Sequence, residues 1–238
     1  MNAPSFVNPI FVALDTPDLS RALAVASAVK PHVGGLKVGL EFISALGPDG
    51  VRKIVEIGLP VFADVKFHDI PNTVAGAARE IAMLGVAMFN VHASGGEAMM
   101  RAAANAIADI HPRPLLIAVT VLTSLDDSVL ETVGQRGPAA SQVERLADLA
   151  KASGLDGVVC SAHEIAMVRQ ATGPGFLTVV PGIRPAGGEL GDQRRVMTPP
   201  QALAAGADIL VIGRQIMAAP DPVSAARAIA QELAETTA

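Results

Sequence analysis

Short runs of β-branched and other apolar residues recur along the chain, and alanine-rich segments with a helical period separate them. Eight of these runs predict strands, at residues 10–15, 35–40, 61–67, 86–92, 115–122, 157–161, 177–181 and 209–213. Helical patterns occur between them, including those at residues 19–29, 73–84, 97–110, 142–153 and 222–233. Alternation of this kind over about 240 residues indicates an α/β protein with a parallel (β/α)8, or TIM, barrel. We therefore predict one barrel domain over residues 1–238, with a doubly wound open sheet as the alternative.

The third run carries charged side chains towards its end. Asp64 and Lys66 are two positions apart, so the period of a strand places them on the same face. Pro71 lacks a backbone N–H and favours extended geometry in the residue before it, so we expect Asp69 just beyond the strand, at its rim. Buried charges are costly unless they are paired. The structural alternative is therefore that these groups pair with one another or lie solvated in a loop.

Polar residues also lie at or near the carboxyl ends of the other predicted strands. They are Asp15, Lys37 slightly before its strand end, His92, Thr123, Ser161, Arg184 and Arg214. The residues that enter the strands, such as Pro60 and Gly85, are instead mostly apolar or turn formers. Active sites of (β/α)8 barrels lie at the carboxyl ends of the strands. This asymmetry favours an enzyme over a binding or structural barrel.

The last quarter of the chain predicts an anion site. Residues 185–195 form a polar segment with three glycines, and such a segment can move as a lid, so we predict a closing loop at about 184–195. Gly213 and Arg214 follow the eighth strand, where barrels often bind phosphate. Arg184 and Arg214 can each offer two donors to a phosphate, and Gln193 can add an amide donor. The alternative is a solvated basic loop.

Composition limits the classes of function. Half of the residues are hydrophobic, but no apolar run approaches the roughly 18 residues of a membrane-spanning helix. A net charge of −5 and the absence of Trp and Tyr argue against a nucleic-acid surface. Cys160 is the single cysteine, which excludes an intramolecular disulfide and fits a reducing compartment. We therefore expect a soluble, cytoplasmic protein without a targeting signal, and expect Cys160 to be a buried hydrophobe.

Several motifs together resemble one enzyme family. They are Asp64-Val-Lys66-Phe-His-Asp69-Ile-Pro-Asn-Thr73, Lys37-Val-Gly39, Val180-Pro-Gly-Ile-Arg184-Pro, Gly191-Asp-Gln193-Arg and Val211-Ile-Gly-Arg214. In this order and combination they closely resemble the bacterial type of orotidine 5'-phosphate decarboxylase. The resemblance extends from about residue 11 to residue 216, and the chain departs from the family pattern at none of these positions. The Asp-x-Lys-x-x-Asp core alone is less specific, because related phosphate-binding barrels share it.

The resemblance implies removal of CO2 from orotidine 5'-monophosphate, which gives UMP in pyrimidine biosynthesis without a cofactor or metal. It implies that Lys66 donates a proton to C6 and that Asp64 lies against the substrate carboxylate. Lys37 would hold Asp64 and a ribose hydroxyl. Asp69 would reach the site from the second subunit of a homodimer, and Asp15 would contact the ribose.

The remaining implied contacts are to the base and the phosphate. Thr123 would meet the pyrimidine edge, and Thr73 and Gly213 would also bind substrate. Arg184, Gln193 and Arg214 would bind the phosphate or close over it.

Two other functions stay open. One is a Mg-dependent sugar-phosphate decarboxylase or lyase on the same barrel, although Lys66 between Asp64 and Asp69 already supplies the countercharge that a metal would bring. The other is a non-catalytic nucleotide-binding barrel in which the Asp–Lys–Asp set is structural. For His68 we expect a structural hydrogen bond, and His92 is expected at the site or at a dimer interface.

Overall fold

The computed structural model describes residue 6, residues 8–184 and residues 197–237. Within these ranges eight parallel strands close into a barrel in chain order, with the last strand paired to the first. The strands are β1 (Ile10–Ala13), β2 (Gly35–Val38), β3 (Val61–Phe67), β4 (Met88–His92), β5 (Leu115–Val119), β6 (Gly157–Val159), β7 (Leu177–Val180) and β8 (Ile209–Ile212). The predicted (β/α)8 barrel is confirmed, and the open-sheet alternative is wrong.

Helices lie between the strands and after the last one. They are α1 (Leu19–Val29), α2 (Leu40–Val55), α3 (Pro71–Ala82), α4 (Gly96–Ala106), α5 (Asp127–Thr132), α6 (Ala139–Ala152), α7 (Ile165–Thr172), α8 (Pro199–Ala204), α9 (Arg214–Met217) and α10 (Pro222–Thr237). The sequence pattern singled out α1, α3, α4, α6 and α10. Its assignment of residues 1–238 to one domain, with a closing loop at about 184–195, stays a prediction, because residues 185–196 lie outside the described ranges.

Two-residue alternation along the strands separates the barrel interior from the layer beneath the helices. Apolar side chains from six strands form a small buried interior cluster, made of Phe11, Phe62, Met88, Ile117, Val179 and Ile209. The intervening strand residues pack against the helices in the main hydrophobic core. Gly35 on β2 makes room for this cluster, since a Cβ there would lie 2.4 Å from the ring of Phe11. Asp64 and Lys66 follow Phe62 at two-residue steps and line the cavity above the cluster.

The link from β3 to α3 positions the second aspartate of the motif. Ile70 is extended, with φ −61° and ψ 153°, and Pro71 is the first residue of α3. Proline suits this position because the first helical N–H has no partner inside the helix. The prediction that Asp69 lies just beyond the strand is therefore confirmed, although the helix begins two residues before the predicted position 73.

Candidate functional site

A cavity of about 460 Å³ opens at the carboxyl ends of the barrel strands. Most of the site residues predicted from the sequence line it, namely Asp15, Lys37, Asp64, Lys66, Thr123, Arg184, Gly213 and Arg214. They come from strands, or from loops after strands, that are far apart in sequence. The closed barrel brings them together, as expected for the carboxyl end of this fold.

Acidic and basic side chains alternate along one side of the cavity. The Lys37 ammonium lies 2.8 Å from Asp15 Oδ1 and 3.8 Å from Asp64 Oδ2. The Lys66 ammonium lies 2.6 Å from Asp64 Oδ1. The order is therefore Asp15, Lys37, Asp64, Lys66, and the Asp64 carboxylate lies between two cations. Opposite charges at these distances hold one another in place.

The Asp64 carboxylate is the most enclosed acid of this row, with 16% of its side chain exposed. Burial by itself would raise the pKa of Asp64, but the positive charges of Lys66 and Lys37 act in the opposite direction. Hydrogen bonds from Lys66 and Asn90 favour the anion as well, and the net effect is a pKa below the ordinary value. Asp64 is therefore a fixed negative charge at neutral pH.

Lys66 reaches the cavity from an irregular part of β3. Pairing with β4 joins Ala63 to Phe89 and then Phe67 to Val91, so the register shifts between these pairs. Lys66 lies within the irregular stretch and has φ +52°, a left-handed conformation that side chains with a Cβ seldom adopt. β-Bulges that redirect a side chain are common beside active sites.

Two arginines mark another part of the cavity. The chain turns after β7 at Gly182, whose φ is +77°, and leads to Arg184, which is 8% exposed. One terminal nitrogen of Arg184 donates to Ile183 O at 3.0 Å and to Gln215 Oε1 at 3.2 Å, while its buried Nε has no hydrogen-bond partner among the described residues. Burial lowers the pKa of Arg184, and the positive charge of Arg214 lowers it further. An anion bound here would relieve both effects.

Apolar side chains form the remaining wall of the cavity. They come from β5 to β8 and the loops after them, and include Val121, Leu122, Val159, Val179 and Pro181. Cys160 also lines the cavity and is 1% exposed, so its expected burial is confirmed. A wall of this kind next to a few fixed charges suits a ligand with a flat, weakly polar ring and a charged end.

Two predicted residues that the structure describes, Asp69 and Thr73, do not line this cavity, and the position of a third is not described. Asp69 is exposed beyond β3, where its carboxylate accepts a hydrogen bond from Ile70 N at 2.7 Å. Thr73 is exposed in the first turn of α3. Gln193 lies outside the described residues. Asp69 and Thr73 are therefore exposed and do not contribute to the pocket formed by their own chain.

Two further features of the site were not predicted as such. The side chain of Asn90 contacts Asp64 and the backbone of Lys66. Its sequence signal was an amide in the middle of a mostly apolar strand. The rings of His68 and His92 lie 5.5 Å apart beside the site. Burial lowers the pKa of His92, and the positive charges of His68 and Lys66 lower it further.

The described residues contain no group of three or more His, Cys, Asp or Glu side chains that is arranged to hold a metal ion. The acids of the site are instead paired with lysines. In the part of the chain that the structure covers, every helix is too short or too polar to cross a membrane.

Comparison with protein families assigns residues 8–229 to the family described as "Orotidine 5'-phosphate decarboxylase / HUMPS family". The orotidine 5'-phosphate decarboxylase of Moorella thermoacetica is 57% identical over 230 residues, which cover 94% of this chain and 91% of the relative. The enzyme of the same name from Novosphingobium aromaticivorans is 55% identical over 222 residues, covering 93% of this chain and 97% of the relative.

Solved structures with the same fold extend this similarity. The orotidine 5'-phosphate decarboxylase of Lactobacillus acidophilus superposes with a TM-score of 0.83 at 39% identity, over 95% of this chain and 99% of that chain. An uncharacterized conserved protein from Geobacillus kaustophilus superposes with a TM-score of 0.81 at 39% identity, over 94% of this chain and 100% of that chain. The similarity therefore extends over nearly the whole chain and includes the barrel.

Proposed function

The chain belongs to the orotidine 5'-phosphate decarboxylase / HUMPS family, and on this premise we propose how it converts orotidine 5'-monophosphate to UMP and CO2 in pyrimidine biosynthesis. The observation that carries the proposal is the ordered row Asp15–Lys37–Asp64–Lys66 in the same cavity as two arginines. β3, which bears Lys66, and β7, which precedes Arg184, are four strands apart and hence on opposite sides of the eight-stranded ring. This separation suits a substrate with its reacting ring at one side and its phosphate at the other.

In the proposed reaction the bond between C6 and the carboxyl carbon breaks, CO2 leaves, and the electron pair stays on C6. The pair occupies an sp2 orbital in the plane of the ring, so the π system does not delocalise it. A fixed cation beside C6 is therefore the group that lowers the barrier most directly. We assign this role to Lys66, whose ammonium stabilises the carbanion, donates its proton to C6 and then regains a proton from solvent.

We assign Asp64 to the position beside the substrate carboxylate. Its lowered pKa keeps it anionic, so it repels the bound substrate carboxylate, and the repulsion ends as CO2 leaves. Lys37 and Lys66 on either side of Asp64 hold the anion in place without reorganisation during the reaction. Lys37 and Asp15 are also assigned to the ribose hydroxyls, since both line the cavity next to this row.

We assign the phosphate to Arg184 and Arg214, with Gln193 closing over it and the Gly213 backbone beside it. The buried position of Arg184 near a second cation supports this assignment, because an anion would compensate both charges. Thr123 is assigned to the pyrimidine edge, next to the apolar wall. The phosphate takes no part in the bond changes, so its binding energy acts by holding the ring beside Lys66.

We further propose a homodimer in which Asp69 and Thr73 complete the site of the partner subunit. Both residues are exposed and do not line the cavity of their own chain, yet they belong to the same motif as Lys66. Ile70 between them is 67% exposed, which is unusual for a large apolar side chain and fits a contact surface. A carboxylate from the partner would complete the acid, base, acid order around Lys66.

The proposed reaction uses no cofactor or metal. A Mg-dependent sugar-phosphate enzyme of the same family would bind its cation through carboxylates of the barrel rim. Here the available acids, Asp15 and Asp64, are already neutralised by Lys37 and Lys66, so the donor set does not suit a divalent cation. The single cysteine, Cys160, supports a cytoplasmic location, which we also propose.

The direct test follows the loss of ultraviolet absorbance when purified protein meets orotidine 5'-monophosphate in buffer with EDTA. We expect rapid conversion to UMP, and added Mg²⁺ should leave the rate unchanged. Absence of conversion in EDTA, together with Mg²⁺-dependent turnover of a sugar phosphate, would instead favour the metal-dependent member of the family. Binding of UMP with no turnover under either condition would favour a non-catalytic barrel.

A further inference from the structure

Asn90 is a fully buried amide that none of the roles above uses. It lies in β4, has 0% exposure and is not among the residues that line the cavity. A buried amide is costly unless its donors and its acceptor are satisfied. Asn90 has partners on both sides, because its Nδ2 donates to Asp64 Oδ1 at 2.7 Å and its Oδ1 accepts from Lys66 N at 2.8 Å.

These two contacts occupy the irregular part of β3. Between the pairs Ala63–Phe89 and Phe67–Val91, three residues of β3 lie opposite Asn90 alone. The side chain of Asn90 therefore accepts the Lys66 N–H within this shifted stretch, in place of a backbone carbonyl. It does so where Lys66 has φ +52°, a conformation that persists only if its surroundings hold it.

We infer that Asn90 is a positioning residue, which holds the Lys66 backbone and the Asp64 carboxylate in one fixed relation. Its two hydrogen bonds fix the Lys66 backbone, from which the ammonium extends, relative to the Asp64 carboxylate that the ammonium contacts. The inference rests on the proposed decarboxylation, in which Lys66 must lie beside C6. Displacement of a reacting group by about 1 Å can cost on the order of 100-fold in rate.

Asn90→Asp separates the hydrogen bonds of this side chain from its packing, because its protonation state changes the hydrogen bonds while its volume stays nearly the same. A protonated Asp at position 90 can still donate to Asp64 and accept from Lys66 N, whereas an ionised Asp has no proton to donate. The ionised form would also place a second negative charge against Asp64, which raises the pKa of the introduced acid. Activity of Asn90→Asp should therefore increase as pH falls, because the protonated form restores both hydrogen bonds.

The experiment measures kcat and KM for the wild type, Asn90→Leu and Asn90→Asp between pH 8 and pH 5. Asn90→Leu has a similar volume but no polar atoms, and its kcat should fall about 100-fold with KM changed less than about threefold. The kcat of Asn90→Asp should equal that of Asn90→Leu at pH 8. Between pH 8 and pH 5, the ratio of the kcat of Asn90→Asp to that of the wild type should rise at least about tenfold.

Thr178→Val provides the matched control. Thr178 is also 0% exposed, lies in β7, and its hydroxyl bonds to Gly206 O and Asp208 Oδ2, away from the cavity. Its kcat should stay within about twofold even if its melting temperature falls as much as that of Asn90→Leu. An equal loss of kcat in Thr178→Val would mean that general destabilisation explains the result, and would overturn the inference.

A second measurement does not depend on turnover. Backbone hydrogen exchange at the Lys66 amide should accelerate at least about tenfold in Asn90→Leu, while amides elsewhere in β3 keep their protection. Unchanged exchange at Lys66, or a kcat of Asn90→Leu within threefold of the wild type, would overturn the inference. A pH profile of Asn90→Asp parallel to that of the wild type would do the same, and serves if Asn90→Leu fails to fold. A wild type without turnover would count against the proposed function itself, whatever the exchange data show.

Discussion

Replacement of Lys66 by alanine removes the cation on which the proposed chemistry depends. The Lys66 ammonium is 2.6 Å from Asp64 Oδ1, and 27% of the side chain is exposed, so it is a partly buried, fixed charge. A unit positive charge about 4 Å from a developing carbanion is worth about 4 kcal/mol at an effective dielectric constant of about 20. This corresponds to roughly 10³-fold in rate. Loss of the proton donor adds a further factor of about 10² to 10⁴, so activity should fall by far more than ~10³-fold.

The barrel should survive this substitution. Asp64 keeps Lys37 at 3.8 Å and the Asn90 amide at 2.7 Å, so its carboxylate is not left without a partner. The assay is the absorbance change of orotidine 5'-monophosphate, with thermal unfolding and UMP binding measured on the same samples. Lys53→Ala is the matched control, because Lys53 is an exposed lysine on α2 that pairs with Glu56 at 2.8 Å and does not line the cavity. Its activity should equal that of the wild type.

Either of two results would refute the assignment of Lys66. If folded Lys66→Ala, which still binds UMP, keeps kcat/KM within about 100-fold of the wild type, another group must supply the proton and the stabilising charge. Loss of UMP binding together with loss of turnover would instead show that Lys66 contributes mainly to ground-state binding, which also contradicts the assignment.

Three further predictions test the rest of the site. Inactive Lys66→Ala mixed with inactive Asp69→Ala should recover up to about one quarter of wild-type activity after subunit exchange, because half of the dimers then contain one intact site; no recovery after confirmed exchange would exclude a shared site. Arg214→Ala should raise KM by at least about 100-fold in the same absorbance assay, since a charge-assisted phosphate contact is lost; an unchanged KM would contradict the phosphate assignment. The pKa of His92 lies below its ordinary 6.5 through burial and the charges of His68 and Lys66, so the unfolded chain takes up this proton first as pH falls. The stability that neutral His92 contributes is complete above about pH 6.5 and is lost as pH falls through the lower folded-state pKa. His92→Gln should therefore reduce the decline in the free energy of unfolding by urea below about pH 6.5. An identical decline in the wild type and in His92→Gln would show that other groups cause it.

Residue patterns alone were enough to predict the barrel and most of the polar residues that line its cavity. Two-residue and helical periods identified all eight strands and five of the helices. Helix α2 escaped the pattern because Gly47, with φ +62°, and Pro48 interrupt it. The carboxyl-end rule then selected residues such as Asp15, Lys37 and Arg184, since a closed parallel barrel brings all strand ends to one rim.

Other features depend on which residues of separate strands lie side by side. The pairing of Lys37 with Asp15 and the contact of Asn90 with both Asp64 and Lys66 join residues 22 to 26 positions apart. The register shift in β3 that gives Lys66 its positive φ is equally a property of the pair β3–β4. Periodicity is a local property of the chain, and it determined the fold and the rim residues of this protein. Hydrogen bonds across strands depend on register and barrel closure, so only the tertiary structure decided how the charged row is held.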